Sequence, residues 1–188
     1  MIFGHFLLSV NEANAFIVGC PETREALLVD VAEWEPQLEQ FLEMHRLKLT
    51  TVFITHDHYD HTGGLDTLMK RFPVKAYSGS GRAGGRAVAR IGHGETIRFG
   101  HITGQVVSTP GHTPEGISLI LPGMAFTGDA LFSGSVGGTA SRADFNQQIE
   151  AIRQHLFTLP DTYELHTGHG PSSTVAVERR HNPFFAGG

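Results

Sequence analysis

Residues 55–62 read THDHYDHT, which places His56, His58, Asp60 and His61 within six positions. Imidazole nitrogens and carboxylate oxygens at that density suit zinc, iron or manganese, each of which accepts mixed nitrogen and oxygen ligands. Four such groups cannot share one face of a strand or helix, whereas a loop can wrap them around a cavity. The offsets divide them: His56 and His58 can serve one ion while Asp60 and His61 turn toward a second. Three further candidates follow apolar runs in glycine-rich sequence, namely His112 in TPGHTPEG, Asp129 in FTGDALFSGS and His169 in HTGHGP. Alone, an aspartate in TGDA reads as a turn or cap residue. Together the set fills two metal shells if one aspartate bridges.

These groups need elements that end where they begin. Apolar runs at residues 6–10, 15–20 and 26–31, separated by NEAN and PETRE, predict an antiparallel meander. Trp34, Leu38, Leu42 and His45 recur at helical spacing. The run TTVFIT then predicts a buried strand that stops at Thr55, with Leu65, Leu68, Met69 and Phe72 starting a helix after the histidines. Further strands are expected at 74–77, near Ile97 and Val106, at 117–121, 124–126 and 163–165. Asp144 with Gln147 predicts a helix start, Phe145, Ile149, Ile152 and Leu156 its buried stripe, and Pro160 its end. Each candidate ligand thus falls in a loop at a strand end, on an α/β scaffold of helices outside paired sheets.

Composition narrows the function. The chain has 188 residues with 14 basic and 19 acidic side chains, a formal charge of −5. That argues against a nucleic-acid or anionic-membrane partner recognised through bulk charge. One cysteine, Cys20, excludes an internal disulfide and a thiolate zinc cage, and a structural role is expected for it. No segment approaches the roughly 18 apolar residues that span a bilayer, and the N-terminus lacks a basic leader, so a cytoplasmic location is expected.

The H-x-H-x-D-H pattern of His56, His58, Asp60 and His61, followed in order by His112, Asp129 and His169, resembles the metallo-β-lactamase fold superfamily. TPGHTPEGISL, TGDALFSGSVGGT and GHGPSSTVAVERRHNPFF look like its glyoxalase II (hydroxyacylglutathione hydrolase) branch, and more closely the short bacterial relatives. The resemblance implies a four-layer αββα sandwich, two mixed sheets with helices on their outer faces, as one domain over residues 1–188. It implies two divalent ions, zinc first and iron or manganese otherwise. His56, His58 and His112 would hold one, Asp60, His61 and His169 the other, with Asp129 between and Asp60 also counted as catalytic. A bridging hydroxide would then attack a small-molecule acyl thioester or related ester. A mononuclear iron persulfide dioxygenase is the alternative of the same fold, and a non-catalytic metal scaffold is the reading outside enzymes.

Some family features do not carry over. Only residues 170–188 follow the last candidate ligand, which leaves no room for the helical C-terminal substrate domain. Gly138 stands where longer relatives have a basic residue, and Gly170–Pro171 replaces their tyrosine after the final histidine. Their glutathione contacts are therefore not transferable. Arg142 remains as an anion clamp and Tyr59 as a residue of the pocket mouth, or of packing. Asp57 either orients a histidine or faces solvent. Arg82, Arg86 and Arg90 are read as a solvated loop that would form a basic face if helical, Arg179 and Arg180 as tail residues, and His166 as a core or supporting residue.

Overall fold

The computed structural model describes residues 1–185. In chain order the first half is β1 (Ile2–Leu7), β2 (Asn14–Gly19), β3 (Glu25–Val29), α1 (Pro36–Met44), β4 (Lys48–Phe53), α2 (Tyr59–Thr62), α3 (Leu65–Arg71), β5 (Lys75–Ser78), β6 (Arg82–Ala83), β7 (Arg86–Ala87) and β8 (Ala89–Arg90). The second half is β9 (Thr96–Phe99), β10 (Ile102–Ser108), β11 (Ile117–Leu121), β12 (Met124–Gly128), β13 (Leu131–Phe132), β14 (Ser135–Val136), α4 (Arg142–His155), β15 (Glu164–Thr167), β16 (Ser173–Thr174) and α5 (Val175–His181). Two six-stranded sheets result, in the orders β1-β2-β3-β4-β5-β8 and β16-β15-β12-β11-β10-β9. Both are mixed. The meander β1–β3 is antiparallel and continues into parallel β4, β5 and β8, and β15 joins the second sheet parallel to β12.

Alternation along the strands builds the layers, because successive side chains point to opposite faces. Phe16, Val18, Leu27, Val29 and Phe53 face Val106, Leu119 and Phe126 in the core between the sheets. Their neighbours Ile17, Leu28 and Val52 point outward onto Leu38 and Leu42 of α1 and Leu65 and Leu68 of α3. On the other outer face Val107, Ala125 and Leu165 pack under Ile152 and Leu156 with Val175 of α5. The product is the four-layer αββα sandwich.

Local differences from the sequence reading have local causes. The first strand is residues 2–7 rather than 6–10, since buried Gly4 and Phe6 alternate with exposed Phe3, His5 and Leu7, and the apolar run from Leu8 breaks into a turn. Helix α4 is capped by Ser141, not Asp144. The Ser141 hydroxyl accepts from the Asp144 amide at 3.1 Å and donates to the Asp144 carboxylate at 2.7 Å, a side-chain cap three residues earlier than expected. Its buried face includes Gln148, which donates to the carbonyls of Ala130 and Gly137 and so ties both loops beyond Asp129 to the helix. Residues 82–90 form short strands, with Arg86 ion-paired to Asp66.

His166 lies in the aromatic core among Phe3, Phe16 and Phe126, only 3 % exposed. Burial, helped by nearby His5, lowers its pKa to about 4 from an ordinary 6.5. Below pH 6.5 the unfolded chain therefore takes up a proton that the folded chain refuses until about pH 4. Stability falls across that window, by about 3 kcal/mol at 1.36 kcal/mol per pKa unit. A His166→Phe variant is expected to lose less stability between pH 6.5 and 4 than the parent in urea unfolding of the metal-free proteins. Equal losses would contradict this.

Candidate metal centre

The seven candidate residues converge on one rim of the sandwich, from both sheets. His56 and His58 lie in the loop after β4, while Asp60 and His61 occupy the single turn of α2, so the histidine segment is half loop and half helix. Asp129 follows β12, His169 follows β15, and His112 sits in the β10–β11 connection.

Three groupings emerge, each with its ligand atoms within 4.8 Å: His56, His58 and His112; His56, His61 and Asp129; Asp60, His61 and His169. In the first, Nδ1 of His58 lies 3.1 Å from Nε2 of His56 and 3.0 Å from Nε2 of His112. In the last, Nε2 of His169 is 3.4 Å from Oδ2 of Asp60. Asp129 stands between them. Its Oδ2 is 4.0 Å from His56 Nε2, 3.6 Å from His112 Nε2 and 3.6 Å from His169 Nε2, and its Oδ1 is 3.4 Å from His61 Nε2.

What holds these rings is a set of partners behind them. Asp30, buried at the end of β3, accepts from the Thr55 amide and hydroxyl, both at 2.8 Å, and from His61 Nδ1 at 2.9 Å. Since the Thr55 hydroxyl donates to Asp30, it accepts from His56 Nδ1 at 3.0 Å. Gly138 supplies a carbonyl to His112 Nδ1 at 2.7 Å. Protons on these three Nδ1 atoms leave the Nε2 lone pairs of His56, His61 and His112 aimed inward, as metal ligation requires. Asn11 donates to Asp60 Oδ2 at 3.1 Å.

A cation fits this donor set. Three ring nitrogens meet at about 3 Å, two of them lone pairs, and one proton on His58 cannot satisfy both. His61 Nε2 and Asp129 Oδ1 are buried without a hydrogen bond, which normally costs about 1–3 kcal/mol per group. A side chain at position 168 would collide with Asp129 Oδ1, so Gly168 keeps the space clear. Electrostatics agree. Burial opposes a charge on His61, yet Asp30 and Asp129 outweigh it and raise its pKa to about 10, so that Nε2 keeps a proton until an ion replaces it. Burial, together with that charge on His61, pushes His56 down to about 2 and keeps it neutral. For Asp129 the close approach of His61, at 3.4 Å, outweighs burial and lowers the pKa to about 2. The pocket calls for positive charge.

Other predicted residues stand further out. Tyr59 is exposed beside the histidine turn. Asp57 orients no histidine; its carboxylate accepts from the Gly84 amide at 2.6 Å and anchors the β6–β7 hairpin. Arg142 is exposed at the first turn of α4, with no ion pair among the described residues. Asp30, Asn14 and Gln148 were not foreseen. The only hint of Asp30 is a carboxylate directly after the apolar run ALLV.

Paired mixed sheets with outer helices and a histidine–aspartate cluster on the shared rim define a metal-binding class of αββα proteins. The chain belongs to the Metallo-beta-lactamase superfamily, whose family model matches residues 8–179. It is 36% identical over 180 residues to the mitochondrial persulfide dioxygenase ETHE1 of Mus musculus, covering 89% of this chain and 69% of that protein. It is also 36% identical over 154 residues to the hydroxyacylglutathione hydrolase of Idiomarina loihiensis, covering 80% of this chain but only 60% of that protein's length. The crystal structure of ETHE1 from Myxococcus xanthus matches with a TM-score of 0.88 at 34% identity, over all of this chain and 85% of that one. Members of both hydrolase and dioxygenase type thus lie equally near. Among the described residues no helix is long and apolar enough to cross a membrane.

Proposed function

We propose that this chain is a dinuclear metal-dependent hydrolase acting on a small acyl thioester. The observation that carries the reading is the position of Asp129 Oδ2, within 4.0 Å of ring nitrogens from both triads. His56, His58 and His112 would hold one ion, Asp60, His61 and His169 the second, and Asp129 both, with zinc the first candidate and iron or manganese the others. Bound metal supplies a hydroxide at neutral pH and a Lewis acid for a carbonyl oxygen.

The chain's own part is positioning. Asp30 sets the tautomer of His61 directly and that of His56 through Thr55, Gly138 does so for His112, and Asn11 orients Asp60. Asp60 takes its catalytic part as a ligand held in this way. A protein nucleophile is not needed: Cys20 is buried, and it lies six residues along β2 from Asn14, roughly 20 Å away at ~3.3 Å per residue. Asn14 itself is bonded to the loop of His169. Arg142 and Tyr59 stay as candidate substrate contacts at the rim.

Identity to the persulfide dioxygenase over 89% of the chain favours a second reading, a mononuclear iron dioxygenase. Metal analysis of protein purified without added metal separates the two. The expected result is about two equivalents of divalent metal per chain, with hydrolysis of S-lactoylglutathione or a simpler thioester that chelation abolishes. One equivalent of iron, with oxygen uptake on glutathione persulfide and no thioester hydrolysis, would replace the hydrolase reading with the dioxygenase.

A further inference from the structure

Beside the metal centre, between the end of β5, β8 and the β10–β11 connection, lies a second cavity of about 400 Å³. That is within the range of small-molecule sites, roughly 300–1,000 Å³. It adjoins the centre: Gly116 and Ile117 line both this cavity and the wall that includes His56, His112 and Asp129. Its floor is a close backbone approach: a side chain at position 79 would collide with the carbonyl of Glu115, so Gly79 lets β5 and the connection meet.

Arg90 is the only arginine or lysine among the described residues that line the wall. Arg90 lines the cavity and has no carboxylate partner among the described residues, whereas nearby Arg86 is paired with Asp66 and Arg71 with Glu39. Glu115 also lines the cavity, but its Oε1 accepts from the Asp57 amide at 3.4 Å, toward the histidine segment. His93 is engaged too, accepting from the Ser108 amide and lying tilted against His155 at 4.6 Å between ring centroids. On a chain with net charge −5, attraction for an anion has to be local, and a planar guanidinium recognises a carboxylate through paired hydrogen bonds.

We propose that this cavity holds a carboxylate-bearing arm of the substrate, with Arg90 as the residue that selects it. The proposal rests on the thioester reading of the adjoining centre and specifies which thioesters are used. The carboxylate has two sources, the acyl half or the thiol half, and the chemistry of recognition is the same for both.

Three substrates separate the sources: the N-acetylcysteamine thioesters of acetate, with no carboxylate, and of succinate, with one on the acyl half, and S-acetylglutathione, with carboxylates on the thiol half. Arg90→Gln should raise KM about tenfold for the carboxylate substrate whose arm enters the cavity, with kcat and the neutral thioester unchanged. Arg98→Gln, which removes an exposed charge outside the cavity, should change none of the three. An equal effect of Arg90→Gln on all three, or none, overturns the proposal. Calorimetry with the uncleavable thioethers S-methylglutathione and S-(3-carboxypropyl)-N-acetylcysteamine tests it without turnover. Binding about tenfold weaker to the Arg90→Gln protein supports the site even if no thioester is hydrolysed and the hydrolase reading falls. Absent binding of both, or equal binding to parent and variant, overturns the site even if the neutral thioester is hydrolysed.

Discussion

Asp129→Ala protein is expected to be purified with at most one metal equivalent in place of two, and to turn over about a thousandfold more slowly or worse. The side chain is the group whose oxygens reach toward both triads, at 3.4–4.0 Å from four histidine nitrogens. No neighbouring carboxylate can replace it, since Asp60 lies on the His169 side and Asp30 is turned behind His61. Asp129→Asn keeps the shape and halves the acceptor capacity, so it should retain more metal than the alanine variant. The measurement is elemental analysis alongside kcat. Unchanged metal content and activity would end the dinuclear reading.

The second large effect is expected at Asp30, which touches neither cavity wall nor candidate ion. Asp30→Ala strands the Thr55 amide and hydroxyl and His61 Nδ1, all buried. Loss of a buried charge-assisted network of this kind costs about 3 kcal/mol. Asp30→Asn separates stability from chemistry. Its oxygen can still accept from the Thr55 amide, but its amide nitrogen then faces His61 and favours the tautomer protonated on Nε2. The asparagine protein should therefore keep most of its stability in urea unfolding and bind metal about 10–100-fold more weakly. Parental metal affinity in that variant would show that Asp30 supports the fold alone.

The two halves of this centre differ in how plainly the chain announces them. Residues that donate inward lie in short, unusual strings, and THDHYDHT is improbable as a solvated turn. Continuous apolar runs likewise announced β2, β3 and β4, since these strands are largely buried on both faces. The supporting residues were silent. Asp30 is 31 positions from His61, Asn14 is 156 from Gly170, and Gln148 is 11 from Gly137 on another element. An aspartate after a strand, an asparagine before one and a glutamine in a helix are each ordinary until the sheets stack. Residues 82–90 read as a solvated loop, with a helical basic face as the alternative from arginines four apart; the glycines at 81, 84 and 85, all at positive φ, fold that stretch into a hairpin instead of a helix.

Asn14 sets the order of events in assembly. Its side chain donates to the carbonyls of Thr167 and Gly170, its amide donates to Gly168, and Ala13 bridges to His169. The start of β2 thus gains these partners only from β15 and the loop after it, and the segment that closes between them is most of the chain. Contacts of such separation form late, because their closure entropy must be met by structure already in place. A nascent chain stalled before β15 can stack its first sheet and display the THDHYDHT segment, yet it has no His169 loop to complete the rim. A half-made protein therefore offers a metal ion only the partial chelate of its first histidines, and the full set of candidate ligands comes together only once the barrier to folding has been crossed.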